Sequence, residues 1–347
     1  MSLPFHPLAP RAYRDPEHFE REQEVLFAPH WGAVAHVSQL SEPGCYVATD
    51  LHGTPVVIVR GADGNLRGLS NVCRHRSYPI MRGAGKAERF VCPYHAWSYD
   101  LDGKLLRAPY MDGTPGFDPT ACVLPEVRIE VWQGFVFANL DPGAEPLGPQ
   151  LRGLEEVIRP YAIAELQVVG QHELPQPWNW KVMAENFAEG YHHSTQHVES
   201  IPDFPTQTSV CLEPDDGPYW IYDNHGRPGS TGQRLLGIGV FPHTLFAVSE
   251  NNGRRSVVWL HLRQLGPTEH QLVISALADE RIAGSPERSQ RFTDGLLTFH
   301  REDQALCRET QRGLASAYAG LPNLCRSQER VIERFHGWIC AEFDKAA

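Results

Sequence analysis

No hydrophobic stretch in this chain approaches the roughly 20 residues needed to cross a bilayer. The opening Met1-Ser-Leu-Pro-Phe-His6 lacks a basic region followed by an apolar core, so neither a leader nor a membrane association is expected and a cytoplasmic location follows as the default. Clusters of Lys and Arg are missing too, and with a net charge of −11 a nucleic-acid partner is not expected. There is no internal repeat and no low-complexity tract. Six of the eight cysteines (Cys45, Cys122, Cys211, Cys307, Cys325 and Cys340) are scattered without the spacing of a disulfide framework, which favours reduced, mostly buried thiols. What remains is 347 residues, 41% hydrophobic and 21% charged, enough for one large or two ordinary domains with ample core.

The other two cysteines belong to paired clips, Cys73-Arg-His75 and Cys92-Pro-Tyr-His95, with sixteen residues between them. Each clip offers one thiolate and one imidazole. Four such side chains suit a two-iron, two-sulfide cluster with the thiolates on one iron and the imidazoles on the other. Neutral imidazoles remove negative charge and raise the potential from about −400 mV to roughly −150 to +300 mV. A tetrahedral zinc site uses the same residue types, but its common order puts both cysteines in one clip and both histidines in the other. The run Cys92-Pro-Tyr-His-Ala-Trp97 resembles the second clip of Rieske proteins; Ser77 stands where many of them carry Gly.

Residues 12–28 read as a short amphipathic helix. From about 39 to 145 short β-branched runs alternate with turn signals: Pro55-Val-Val-Ile-Val-Arg60 before Gly61-Ala-Asp-Gly64, a turn at Asp100-Leu-Asp-Gly103, and a closing strand at Val131–Phe137. This block is expected to be all-β with the clips at hairpin tips. The Pro/Gly-rich stretch Asp141–Pro149 reads as a linker. Beyond it, helices are expected near 151–160, 178–193, 286–315 and 326–343, and strands at 166–173, 218–223, 239–249, 255–264 and 270–278. The fold class is α+β, divided as an N-terminal helical segment (1–38) packing on the last domain, a β domain (39–145) and a domain of strands and long helices (146–347).

A second constellation lies in Trp180–His197. Glu185, Glu189 and His192 fall at i, i+4 and i+7, one helical face, and a polar stripe of this kind is costly to bury unless it is paired or binds metal. The spacing leaves the histidine pair open: His193 and His197 stand at i, i+4, His192 and His197 five apart. In 286–315 an apolar stripe of Phe292, Leu296, Phe299 and Leu306, with Thr310, is interrupted by Asp303; metal coordination is one remedy for such a carboxylate, an N-cap or a buried ion pair another. Glu302 points about 100° away, towards the expected wet face. Two imidazoles and a carboxylate with open positions make the facial triad of non-haem Fe(II) oxygen activation.

Over nearly its whole length the chain resembles the α subunit of a Rieske non-haem iron oxygenase. Trp178-Asn-Trp-Lys181 leading to Glu185-Asn186-x-x-Glu189-x-Tyr191-His192-x-x-x-x-His197 is similar to that family's iron motif, and Glu302-Asp303 to its third-ligand segment. The resemblance implies a helix-grip-like catalytic domain with an antiparallel sheet, preceded by the Rieske [2Fe–2S] domain. It implies Cys73, His75, Cys92 and His95 as cluster ligands and His192, His197 and Asp303 as iron ligands, with His193 a bystander. Glu189 takes the position of the acidic bridge to the Rieske histidine of a neighbouring subunit; many relatives have Asp there, and some that act on quaternary ammonium compounds have Glu. Asn186 and Tyr191 are candidates for orienting the imidazoles. A separate flavin or iron–sulfur reductase or ferredoxin is implied as partner, passing electrons from NAD(P)H through the cluster to Fe(II), which uses O2 to hydroxylate a small organic substrate. A head-to-tail homotrimer is the expected assembly.

Tyr219, Trp220, Tyr222, Phe241, Phe246 and Trp259 are candidate pocket aromatics, able to cage a quaternary ammonium group or to bind an aromatic ring. Glu189, the chain length and the Phe335-His-Gly-Trp338 tail lean towards the quaternary-ammonium and demethylase side. The alternative from another class is a non-catalytic Rieske electron carrier. It would need only the β block and leaves the stretch bearing His192, His197 and Asp303 without a role.

Overall fold

A computed structural model describes residues 7–347, apart from Thr231, Asn252 and the side chain of Gln233. The described chain forms two units, Trp31–Glu145 and, separately, the residues up to His30 with Pro146–Ala347.

The first unit is all-β. Its strands are β1 (Gly32–His36), β2 (Cys45–Leu51), β3 (Thr54–Arg60), β4 (Leu66–Ser70), β5 (Gly83–Lys86), β6 (Phe90–Val91), β7 (Ser98–Tyr99), β8 (Leu105–Arg107), β9 (Glu126–Trp132) and β10 (Phe135–Asn139). They make a seven-stranded sheet in the order β1-β10-β9-β4-β3-β2-β5 and a three-stranded one, β6-β7-β8. Strand β3 shows why the sheet is buried on both faces. Val57 and Val59 pack on one side with Leu69, Phe90 and the clip cysteines, while Val56 and Ile58 pack on the other with Val34 and Val136. Gly32–His36 is entirely buried and pairs with β10, so it belongs to this sheet and not to the N-terminal helical segment; the apolar run Gly-Ala-Val-Ala fills an interior edge. The single closing strand expected at 131–137 is instead the join of β9 and β10. Gln133 and Gly134 both take positive φ (49° and 85°), the backbone a two-residue hairpin turn requires.

The second unit holds a seven-stranded antiparallel sheet, β11-β17-β16-β15-β14-β13-β12, built from β11 (Gln167–Gln176), β12 (Ser209–Leu212), β13 (Tyr219–His225), β14 (Gly232–Val240), β15 (Thr244–Asn251), β16 (Arg254–Gly266) and β17 (Glu269–Ala278). The helix Pro286–Leu314 packs on β11 and β17, and the helix Arg330–Lys345 packs on β13. Ser285 caps the long helix by accepting from the Arg288 amide, with Pro286 at its first turn. Leu8, Tyr13, Leu26 and Phe27 enter the same core as Trp178, Trp180, Leu272 and Phe335.

Three expectations need correction here. Residues 12–28 do not form one helix: a turn at Pro10–Tyr13 is followed by Pro16–Glu22 and a wider turn at Gln23–Phe27, with Asp15 capping and Pro16 starting afresh. Residues 239–249 are two strands, because Pro242 cannot donate to a ladder and the chain turns between Val240 and Thr244. The helix expected over 178–193 ends at Phe187. At Gly190 a Cβ would stand 2.9 Å from Ser209 Oγ, so the loop after the helix runs too close to its neighbour for a side chain. Among the described residues no helix is long and apolar enough to cross a membrane.

Candidate functional site

The two clips are built alike. In each, the amide four residues after the cysteine donates to the cysteine carbonyl: Ser77 to Cys73 and Ala96 to Cys92, both at 3.0 Å. The cysteine amides donate in turn to Tyr78 and Trp97 carbonyls. Closing the loop this way puts Ser77 and Ala96 in the left-handed region, at φ 56° and 58°. That explains why a glycine suits the position Ser77 fills. The second clip tips the β6–β7 hairpin; an isolated bridge between Val72 and Pro79 closes the first.

Cys73 and Cys92 are buried at 2% exposure, whereas His95 is exposed and His75 half-buried. The His75 and His95 rings lie 4.6 Å apart at 78°, and His75 stacks on Trp97. Tyr99 Oη sits 3.3 Å from Cys73 Sγ and accepts from the Arg74 amide at 3.0 Å. Burial pushes the Cys92 thiol up, although the Tyr94 and His95 amides pull the other way. Two buried sulfurs, Cys92 with amides aimed at it and Cys73 beside the Tyr99 hydroxyl, together with two imidazoles on the outer side, are a donor set that fits a [2Fe–2S] cluster.

In the other unit, Asn179 accepts from the Lys181 amide and starts the helix Trp180–Phe187, which delivers the chain into a tight loop. There Glu189 receives the amides of Tyr191 and His192, and its other oxygen lies 2.6 Å from His192 Nδ1. The ring is thereby turned so that Nε2 stands 3.1 Å from His197 Nε2 and 3.5 Å from Asp303 Oδ1. His197 Nε2 is 3.1 Å from the same Asp303 oxygen, and its Nδ1 is 2.6 Å from Glu302 Oε2. One ligand atom from each of His192, His197 and Asp303 lies within 4.8 Å of the others, a group able to hold a metal ion. Each Nδ1–H is committed to a glutamate, so two Nε2 lone pairs and a carboxylate oxygen point at one another. That convergence is repulsive without a cation at its centre, and the residues therefore fit a divalent metal.

Protons compete with a metal ion for the same Nε2 and carboxylate atoms. Burial raises the Asp303 carboxyl, but hydrogen bonds from His192 and His197 outweigh it and bring the pKa down to about 2. Burial likewise lowers His192, yet its bonds to Asp303 and Glu189 carry it up to about 9. His193 is different: burial, then the neighbouring His192 and His197, press it down to about 3. Its Nδ1 is 3.1 Å from the Phe204 carbonyl, and it is not among the converging atoms. Of the two histidine pairs the spacing left open, the structure brings together His192 and His197.

Glu302 is the residue sequence reasoning misplaced. It was expected on the wet face but is only 27% exposed, accepting from Ser200 Oγ at 2.6 Å as well as from His197. The buried stripe of the long helix runs Thr293, Leu296, His300, Asp303, Cys307 and Gln311, one position past the expected Leu306 and Thr310. Glu185 does not share a face with Glu189; it bonds Tyr13 Oη at 2.6 Å and His336 Nε2 at 3.0 Å. Tyr191 is half-exposed and contributes its amide only.

A cavity of about 310 Å3 opens beside Asp303, Glu189 and His192. Of the six aromatics singled out from the strands, only Tyr222 lines it; Phe187, Phe204, Phe292 and Phe299 supply the rest of its aromatic wall, and Asn186 also reaches it. Phe241 instead stacks on Trp338, and Trp220 packs against Phe187 in the core. Phe299 stacks on the His197 ring at 4.5 Å.

A β domain carrying two Cys/His clips, with a separate unit carrying a two-histidine, one-carboxylate centre, defines a Rieske-type oxygenase. Residues 30–121 match the Rieske [2Fe-2S] domain, and residues 163–343 match the catalytic domain of the ring hydroxylating alpha subunit. The chain is 30% identical to the carnitine monooxygenase oxygenase subunit of Escherichia coli (strain K12), over 96% of this chain and 92% of that one. It is 27% identical to the chloroplastic choline monooxygenase of Amaranthus tricolor, over 94% and 75%. The solved structure of a quaternary ammonium Rieske monooxygenase superposes with a TM-score of 0.87 at 26% identity, covering 97% of this chain and 95% of that one. The chain belongs to the Rieske ring-hydroxylating oxygenase α-subunit family. It is a terminal oxygenase, which uses a Rieske [2Fe–2S] cluster, mononuclear iron, O2 and electrons from a reductase to hydroxylate a small organic substrate.

Proposed function

We propose that this oxygenase is a cytoplasmic monooxygenase that oxidises a quaternary ammonium compound, working as a head-to-tail homotrimer in which the cluster of one subunit serves the iron of the next. The observation that carries the substrate class is the cavity: four phenylalanines and Tyr222 around a space whose inner end holds the carboxylates Asp303 and Glu189. Aromatic faces attract a desolvated cation. Burial, then the charges of Glu189 and Asp303, hold the Tyr222 phenol well above its ordinary range, so it offers a neutral face.

In this reading Cys73, His75, Cys92 and His95 hold the cluster, and His192, His197 and Asp303 hold the iron. The cluster supplies single electrons at raised potential, and ferrous iron supplies open positions for O2. Glu189 keeps the His192 Nε2 aimed inward by accepting from Nδ1, and Glu302 does the same for His197. The exposed His95 edge provides the contact at which another subunit's Glu189 is reached. Phe299 and Phe292 exclude water from the face where the substrate sits.

The test is O2 uptake driven by NADH with a surrogate reductase, across trimethylammonio compounds, methoxy-aromatics and aromatic acids. Uptake and product formation with the trimethylammonio compounds alone are expected; turnover confined to the aromatic compounds would overturn the substrate class. Glu189→Gln, with iron supplied in excess so that the mononuclear site is filled, should slow single-turnover oxidation of the cluster. An unchanged rate would remove the bridging role.

A further inference from the structure

Four strands of the catalytic sheet meet at the cavity in one row. Tyr222 on β13 pairs with Gly237 on β14, Gly237 with Ala247 on β15, and Ala247 with Val258 on β16. Cross-strand partners project from the same face of a sheet, and Tyr222, Ala247 and Val258 all line the cavity. Gly237 is the member of the row that does not. The height of this row above the sheet therefore sets the depth of the cavity on that side.

The backbone does not explain a glycine at 237. Its φ lies outside the left-handed region, and a glycine inside a strand weakens it, so alanine would suit β14 taken alone. The reason lies in Tyr222. A Cβ on Gly237 would fall inside the phenol ring, against Cε1 and Cζ and 2.6 Å from Cδ1, and these are its three nearest atoms. The ring thus fills the space of the missing side chain. The same seat recurs one pair along, where a Cβ on Gly239 would run into the Trp220 indole, and the two rings lie 13° from parallel. Tyr222 is only 5% exposed, and no described residue hydrogen-bonds its hydroxyl. His193 meets the ring edge-on with centroids 6.1 Å apart. Packing holds the ring down.

We propose that Gly237 is a positioning residue for substrate selection: by seating the Tyr222 ring on the sheet it fixes the depth of the cavity, and with it the bulk of the group that reaches the metal centre. A side chain at 237 drives the ring off its seat, because close-packed neighbours shift rather than compress. The open side that the ring already borders is the cavity. The result is a shallower site that rejects a bulky head before a slim one. This relationship holds whichever class of compound fills the site.

The experiment is a double-variant cycle on the holoenzyme with reductase: wild type, Gly237→Ala, Tyr222→Ala and the two together. The probes are butyl-trimethylammonium and butyl-triethylammonium, compared by KM or, for a probe bound without turnover, by its inhibition constant. Should wild type accept only aromatic acids, the quaternary-ammonium reading falls, and benzoate with 4-tert-butylbenzoate judge Gly237 in the same way. Gly237→Ala should raise the preference for the slimmer probe by at least about tenfold, the discrimination that methylene-sized changes give. In the Tyr222→Ala background the same change should alter that preference by less than about twofold, because the atoms the new Cβ meets are gone. Melting of the catalytic unit runs the cycle without any substrate: Gly237→Ala should lower the midpoint by roughly 2–10 °C, and the double variant should show no such loss relative to Tyr222→Ala. If Gly237→Ala does not fold, recovery of the fold by adding Tyr222→Ala supports the seat. A loss that persists without the Tyr222 ring, or an unchanged preference in Gly237→Ala, would overturn it.

Discussion

Glu302 and Asp303, adjacent on one helix, hold opposite edges of the same imidazole: Glu302 Oε2 is 2.6 Å from His197 Nδ1, and Asp303 Oδ1 is 3.1 Å from His197 Nε2. Glu302→Gln should therefore weaken iron binding by about tenfold to a hundredfold, the usual cost of losing a carboxylate behind a metal-binding histidine. Titration of iron into the chelator-treated protein measures this, with the cluster's visible absorption unchanged as the control. Full iron affinity in the variant would contradict the role.

The neighbouring histidines give a sharp contrast. His197→Ala should lose the mononuclear iron and turnover while keeping the cluster's colour. His193→Ala should keep the iron, since the His193 ring faces the Phe204 carbonyl. With its pKa pressed to about 3 by burial and by His192 and His197, His193 stays neutral through the physiological range. Metal analysis of the two variants settles the pair that the spacing alone left open.

Left-handed backbone at Ser77 (φ 56°) costs an L-residue roughly 1–2 kcal/mol. Ser77→Gly should make the first clip more stable by up to about 1 kcal/mol, and the β-branched Ser77→Val should destabilise it by more. The rate at which visible absorption bleaches on warming reads both; identical rates in the three proteins would show that this backbone is not a weak point of the clip.

Glu22 and Lys181 form a salt bridge of 2.5 Å with both side chains fully buried. Burial raises the Glu22 carboxyl, but Lys181, His18 and Trp180 overcome it, so its folded pKa lies below the ordinary value. Stability from this group is therefore complete above about pH 4.3, the unfolded value, and is lost as pH falls through the lower folded value. Glu22→Gln strands the lysine and should cost about 3–5 kcal/mol, whereas Glu22→Gln with Lys181→Met should cost less than the single change. Denaturant melts across pH 3–7 test both statements. A double variant weaker than the single one would refute the stranded-charge account.

The clips and the convergence of His192, His197 and Asp303 were legible in the sequence because the pattern lies in residue types at short spacing, such as Cys73-x-His75, or in a carboxylate breaking an apolar stripe, as Asp303 does. The β-block and the long helix 286–314 were legible for the same local reason, periodicity. What escaped depends on distance in the chain. Glu302 meets His197 across 105 positions, and Glu185 meets His336 across 151, so neither pairing leaves a local trace. The helix after Asn179 was overrun because helical spacing continues past Gly190, while the loop's real constraint is the approach of Ser209 from another strand.

The catalytic unit closes its core with Val331, Ile332 and Phe335 from the last helix and with Tyr13, Leu26 and Phe27 from the first thirty residues. Trp31–Glu145 needs neither. During synthesis at about 5–20 residues per second, the β domain is complete some 10–40 s before the final helix leaves the ribosome. It is then a finished receptacle for its cluster while Tyr13 and Phe27 still wait for their partners. The fold that bears the clips can thus be complete before the one that gathers His192, His197 and Asp303.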